Sequence, residues 1–161
     1  MASTSSSSLA LCFCLFLSLL SLSTSSLDFD LPSLRGDDIH DLLERFGFPK
    51  GLLPDNVKSY TVSEDDGAFT VYLTSPCYVE FGDQHVFFGK KIVGKFGYGV
   101  AKNLNGIQAK EGLLWLPVTA MTSDQTASTV VFSVGFLTKS LPASLFEDVP
   151  SCSNKLYLRN A

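Results

Sequence analysis

The chain has 161 residues and a net charge of −4, with 16 acidic against 12 basic side chains. That balance argues against a nucleic-acid partner and against strong electrostatic attraction to anionic membranes. Two histidines and no Cys-x-x-Cys or His-x-x-x-His spacing leave little from which to build a metal site, and no cofactor is implied.

The first 27 residues are uncharged, and an apolar run extends from Leu9 to Leu22. It is shorter than the roughly 18–20 residues of a membrane-spanning helix. Small residues follow at Ser23-Thr24-Ser25-Ser26, before the first acid at Asp28. This order reads as a secretory signal peptide over 1–26, cleaved near Ser25 or Ser26, although no Lys or Arg precedes the run. The expectation is a secreted protein with no stable membrane span after cleavage. The mature chain is then an irregular lead-in over 27–36, one globular domain over 37–152 and a loose tail over 153–161.

Cys12 and Cys14 leave with the leader, whereas Cys77 and Cys152 remain. In an oxidising compartment two cysteines read as one disulfide. The bond would close a loop of about 75 residues and contribute about 4 kcal/mol in the chain-entropy account. Two unrelated thiols, or a metal pair, are the alternatives.

Ile39, Leu42, Leu43 and Phe46 form one stripe of a 3.6-residue period, predicting an amphipathic helix. Asp37 or Asp38 can cap it, and Gly47 can end it. His40 and Glu44 lie off the stripe and read as a solvated face.

Strands follow. Val57–Ser63 and Phe69–Leu73 read as a hairpin turning at Glu64-Asp65-Asp66-Gly67. Tyr78–Phe81 and His85–Phe88 flank a turn at Gly82-Asp83-Gln84, with His85 as a surface residue. Lys91–Lys102 reads as one glycine-bearing strand that could curve a sheet. Its Gly-Lys-Phe-Gly-Tyr-Gly stretch matches neither a P-loop nor a dinucleotide fingerprint. Asn103-Leu104-Asn105-Gly106 carries the strongest hairpin dipeptide of the chain. Ile107–Lys110 and Leu113–Val118 come next, with Pro117 requiring an edge, a strand end or a bulge. Val130, Phe132, Val134 and Phe136 alternate through a further strand, and Ser140–Phe146 reads as a short helical turn. The fold class is therefore α+β and β-dominated: a curved antiparallel sheet or small barrel of six to eight strands, one N-terminal amphipathic helix and a short C-terminal helical turn.

Gly-x-Ser-x-Gly is absent, and Glu64-Asp65-Asp66 reads as a solvated turn, so no catalytic residue is assigned. Several ordered features carry a resemblance instead. They are Leu53-Pro54, Gly67-x-Phe69, Cys77, Ile92-x-Gly94, Gly106-Ile107-Gln108-x-Lys110 and Trp115-Leu116-x-Val118. Phe132-x-Val134-Gly135 and Leu141-Pro142-x-x-x-Phe146-Glu147-x-x-Pro150-x-Cys152 complete the set. The chain thereby resembles, from about Asp37 to Cys152, the plant family known as domain of unknown function 538. The resemblance implies a barrel-like antiparallel sheet with a helix, similar in shape to the lipid-binding lobe of bactericidal permeability-increasing protein. It also implies the esterase or chlorophyll-hydrolase role proposed for such proteins, for which this chain lacks the nucleophile motif. Ala109, where the family commonly has a larger aliphatic, and Pro117 depart from the pattern.

Thirteen Phe, five Tyr and one Trp, most of them in strands, motivate a binding function for a lipid or other amphiphilic small molecule. Phe96, Tyr98, Trp115, Phe132 and Phe136 are the candidate ligand-binding residues, on apolar faces of neighbouring strands. A protein-interaction or structural module without a small ligand is the alternative, and an esterase-type hydrolase the third reading.

Overall fold

The computed structural model describes residues 38–153. The expected signal peptide, the lead-in and the tail beyond Ser153 lie outside them.

The chain opens with helix α1 (Ile39–Arg45). Asp38 caps it, its carboxylate accepting from the His40 amide at 3.2 Å. At the other end Gly47 N–H donates to the Glu44 carbonyl and Phe48 N–H to that of Leu43, closing the helix with a Schellman pair. Ile39, Leu42 and Leu43 are buried, as the stripe requires. His40 corrects its expectation. It is buried, with Nδ1 2.9 Å from the Lys50 carbonyl oxygen, because a 3-10 turn (Lys50–Leu52) packs against that side of the helix. A carbonyl only accepts, so Nδ1 carries the proton.

Eight strands follow: β1 (Val57–Val62), β2 (Ala68–Leu73), β3 (Cys77–Phe81), β4 (Gln84–Gly97), β5 (Val100–Glu111), β6 (Leu114–Asp124), β7 (Thr129–Val134) and β8 (Leu137–Pro142). All pairs are antiparallel, in the order β1-β2-β4-β5-β6-β7-β8. β4 organises the sheet: one of its edges carries β3 on its first half and β2 on its second, and the other carries β5. The sheet is curved and open, with β1 and β8 at its edges. A second 3-10 turn (Ala143–Phe146) returns the chain onto the concave face.

Three strand boundaries differ from expectation. Lys91–Lys102 is not one strand, since β4 ends at Gly97 and the chain reverses at Tyr98-Gly99. Val130–Leu137 likewise folds back at Gly135-Phe136, between β7 and β8. Asn103–Gly106, conversely, is no turn but the middle of β5. There Asn103 and Gly106 take φ of 53° and 96°, and the register with both neighbouring strands shifts. The buried positions move from Ala101 to Leu104 and then to Ile107, one residue beyond strict alternation each time. A Cβ at Gly106 would strike the Lys91 carbonyl, so the strand crossing there needs glycine. Pro117 sits in β6 beside the β7–β8 turn, where its carbonyl accepts from Gly135 N–H and a proline nitrogen breaks no continuing ladder.

The core is one apolar cluster between the concave face, α1 and the 3-10 turns. Phe96 lies between Phe69 and Phe46, with ring centroids at 4.0 and 4.8 Å. Cys77 and Cys152 are joined, their Cα atoms 5.3 Å apart, within the usual disulfide window. The closing segment is also stitched by reciprocal backbone hydrogen bonds between Tyr78 and Ser153, and by Asp55 N–H to Pro150 and Cys152 N–H to the Asp55 carboxylate.

Candidate functional site

α1 and its following loop cover only part of the concave face, around Phe96. Beyond them, between the first half of β4, strands β5–β8 and the two 3-10 turns, lies a half-open cavity of about 40 Å³. Val86, Phe88, Ile107, Ala109, Val118 and Met121 form its floor; Leu52, Phe132, Leu141 and Phe146 form its walls. The small side chain of Ala109 leaves part of this space open. The volume accepts about three water-sized bodies, well below the roughly 300–1,000 Å³ of pockets that enclose a whole ligand.

The lining has two polar side chains, Gln84 and Lys139. Lys139 Nζ donates to Gln84 Oε1 and to Glu111 Oε1, the latter at 2.6 Å. Gln84 Nε2 donates in turn to the carbonyls of His85 and Lys110, so both ends of this buried amide are satisfied. The link states how strongly the sheet curls. Strands β4 and β8 are four positions apart, about 19 Å in a flat sheet, far beyond the reach of one lysine. Curling brings Lys139 into the lining as a cation held by one carboxylate and one amide, beside an otherwise apolar interior.

The structure disperses the five aromatic candidates. Phe132 lines the cavity and packs on Phe146 at 5.6 Å. Phe96 is part of the core beside α1. Trp115 lies on the convex face with Tyr78 and Phe87, at centroid distances of 5.9 and 6.4 Å. Tyr98 and Phe136 stand exposed in turns at opposite ends of the sheet. Gln84, Glu111 and Lys139 were missed by the sequence reading. Each stands alone in its strand pattern, and only the curl of the sheet joins them.

His85 is on the convex face, its Nδ1 3.4 Å from the Glu80 carboxylate on the paired strand. Among the described residues no group of three or more His, Cys, Asp or Glu side chains could hold a metal ion. No helix among them is long and apolar enough to cross a membrane.

Fold and cavity together define a small β-dominated α+β domain with an apolar recess on the concave side of an antiparallel sheet. Residues 39–147 match the family described as "Protein of unknown function, DUF538", and the chain belongs to that family. It is also similar to "Uncharacterized protein At5g01610" of Arabidopsis thaliana, 30% identical over 96 residues. The aligned region is 59% of this chain and 55% of that protein, so the chain spans about half the length of this curated relative.

Proposed function

We propose that the protein is a secreted, non-enzymatic binder of an amphiphilic small molecule. The apolar chain of the ligand enters the recess, and its polar head stays at the mouth beside Lys139. The observation that carries this reading is the combination of an almost wholly apolar cavity with one partly exposed lysine in its lining. Secretion is supported by the leader pattern and by the joined cysteines.

Because the cavity is small, entry of a chain requires the mouth to widen. Widening would displace the second 3-10 turn, whose Phe146 lines the cavity, or strand β8 at the sheet edge, against the Lys139 link to Gln84 and Glu111. The small volume is also the observation that favours the second reading, a protein-interaction module without a small ligand.

Met121 is one of two methionines in the chain and lies in the cavity floor. Titration with oleate or lysophosphatidylcholine, followed by the Met121 methyl resonance, should give a saturable shift. Ala109→Leu, which fills the floor, should remove it while the fold persists. A Met121 signal unmoved by either amphiphile would leave the interaction module as the reading.

A further inference from the structure

One end of the sheet has a surface of its own. The β3–β4, β5–β6 and β7–β8 connections all fall there, as two-residue turns Gly82-Asp83, Gly112-Leu113 and Gly135-Phe136. Leu113 is 95% exposed and Phe136 84%. Leu114 and Leu137, next in chain, are exposed as well, and so is Leu145, whose side chain would meet a Cβ at Gly82. Five of the seven large hydrophobic side chains exposed among the described residues thus crowd one end. Scattered exposed leucines need no explanation, but such a concentration does.

We propose that this end docks on a lipid bilayer, with the tips of the β5–β6 and β7–β8 hairpins inserted into its interfacial layer. The side chains are graded along the strand direction. Leu113 and Phe136 lead, and Leu114 and Leu137 follow one residue behind. Trp115 comes next on the convex face, backed by the Tyr78 ring. Lys110 pairs with Trp115 in the ladder, so the two stand at the same depth, about 7 Å behind Leu113 at the strand rise. An apolar tip backed by a tryptophan and a lysine suits a bilayer interface, where both residues settle at the headgroup level.

The charges decide which bilayer. Lys110 and Lys139 face Glu111, which Lys139 holds, Asp83 in the third turn and Glu80 just behind that turn. The end therefore has no excess of positive charge to draw it to anionic lipid. That fits a zwitterionic phosphatidylcholine surface, with binding little affected by salt. A second copy of the chain is a poorer occupant. Two separate protruding tips cannot form the roughly 800 Å² per partner of a stable flat interface, and nothing lies within 4 Å of a Cβ placed on Gly112. This inference does not depend on the cavity being occupied.

Trp115 is the only tryptophan of the chain and sits just behind the tips, so it reports this end whatever other segments do. The full chain is mixed with phosphatidylcholine vesicles whose acyl chains carry bromine near the headgroup. Trp115 fluorescence should be quenched, equally at low and high salt. Leu113→Asp and Phe136→Asp should each weaken the quenching partition about tenfold, the loss expected on withdrawing one large apolar side chain from the interface. Tyr98→Ser, at the other end of the sheet, should change nothing. Leu113→Ser and Phe136→Ser serve as milder variants, with thermal midpoints confirming the fold. Absent quenching in the parent chain, or quenching undiminished in the tip variants, overturns the proposal. So does a parent chain that is dimeric in vesicle-free buffer and made monomeric by the tip substitutions without any quenching in the parent. Oleate binding at Met121 is scored separately, so failure of one proposal leaves the other standing.

Discussion

At the residue scale, the acidic turn between β1 and β2 does more than solvate a loop. Asp66 accepts from Lys95 Nζ at 2.8 Å and from the Ala68 amide at 3.1 Å, which clamps the hairpin to β4. The lysine above all, then the backbone amide and the Ser63 side chain, pull the Asp66 carboxyl down from 3.8 to about 2. A carboxyl with a lowered folded-state pKa contributes stability above its ordinary pKa. It loses that contribution as pH falls through the folded value. The protein should therefore lose an increment of stability between pH 4 and about 2. Carboxyl NMR should place the Asp66 midpoint near 2, and Asp66→Asn should remove this part of the acid dependence. Both partners are half exposed, so the effect at neutral pH is small. Lys139 is a different case. Lys139→Met leaves Glu111, only 20% exposed, without its cation, and leaves Gln84 Oε1 without a donor. Urea denaturation should show a loss of about 1–3 kcal/mol. Amphiphile binding should shift from carboxylates towards uncharged heads.

At the element scale, α1 has seven residues, too few to hold a helix in water on intrinsic propensity. Its stability comes from burying Ile39, Leu42 and Leu43 against the sheet. Leu42→Ala should cost about 2–5 kcal/mol in chemical denaturation, because the walls around a 1% exposed leucine cannot all collapse. The two 3-10 turns are coupled through Gly51, where a Cβ would strike the carbonyl oxygens of Phe146 and Asp148. Gly51→Ala should push these turns apart, lower the thermal midpoint and broaden the Met121 resonance beneath them.

At the scale of the whole molecule, the disulfide joins the start of β3 to the segment that follows the second 3-10 turn, 75 residues later. Removing it should cost about 2–5 kcal/mol. Cys152→Ser should increase amide exchange first in residues 147–153 and next in β3, which that segment pairs through Ser153. The interior of β5 and β6, paired on both sides, should keep its protection.

The helix, its caps, the β1–β2 and β3–β4 hairpins and the β-dominated class were legible in the sequence. Each follows from local rules: a 3.6-residue stripe, a capping Asp38, a glycine after acidic residues, an alternation of two. The Asn103–Gly106 segment was not. Asn-Gly offers positive φ, and the chain can use it either to reverse or to bulge; pairing with β4 and β6 on both sides selects the bulge. Tyr98 and Phe136 hid two reversals, because a hairpin tip exposed to solvent tolerates an aromatic residue and the apolar character then reads as continuing strand. The recess was least legible. Gln84, Glu111 and Lys139 lie on three strands and meet only because the sheet curls, a property of accumulated twist and bulges with no local signature. The sequence by itself determined which residues face inward over most of the sheet, since burial follows the period of each element. Where the strands turn back, how far the sheet curls and which polar groups then meet at its mouth were decided by tertiary packing, because those depend on neighbours distant in the chain.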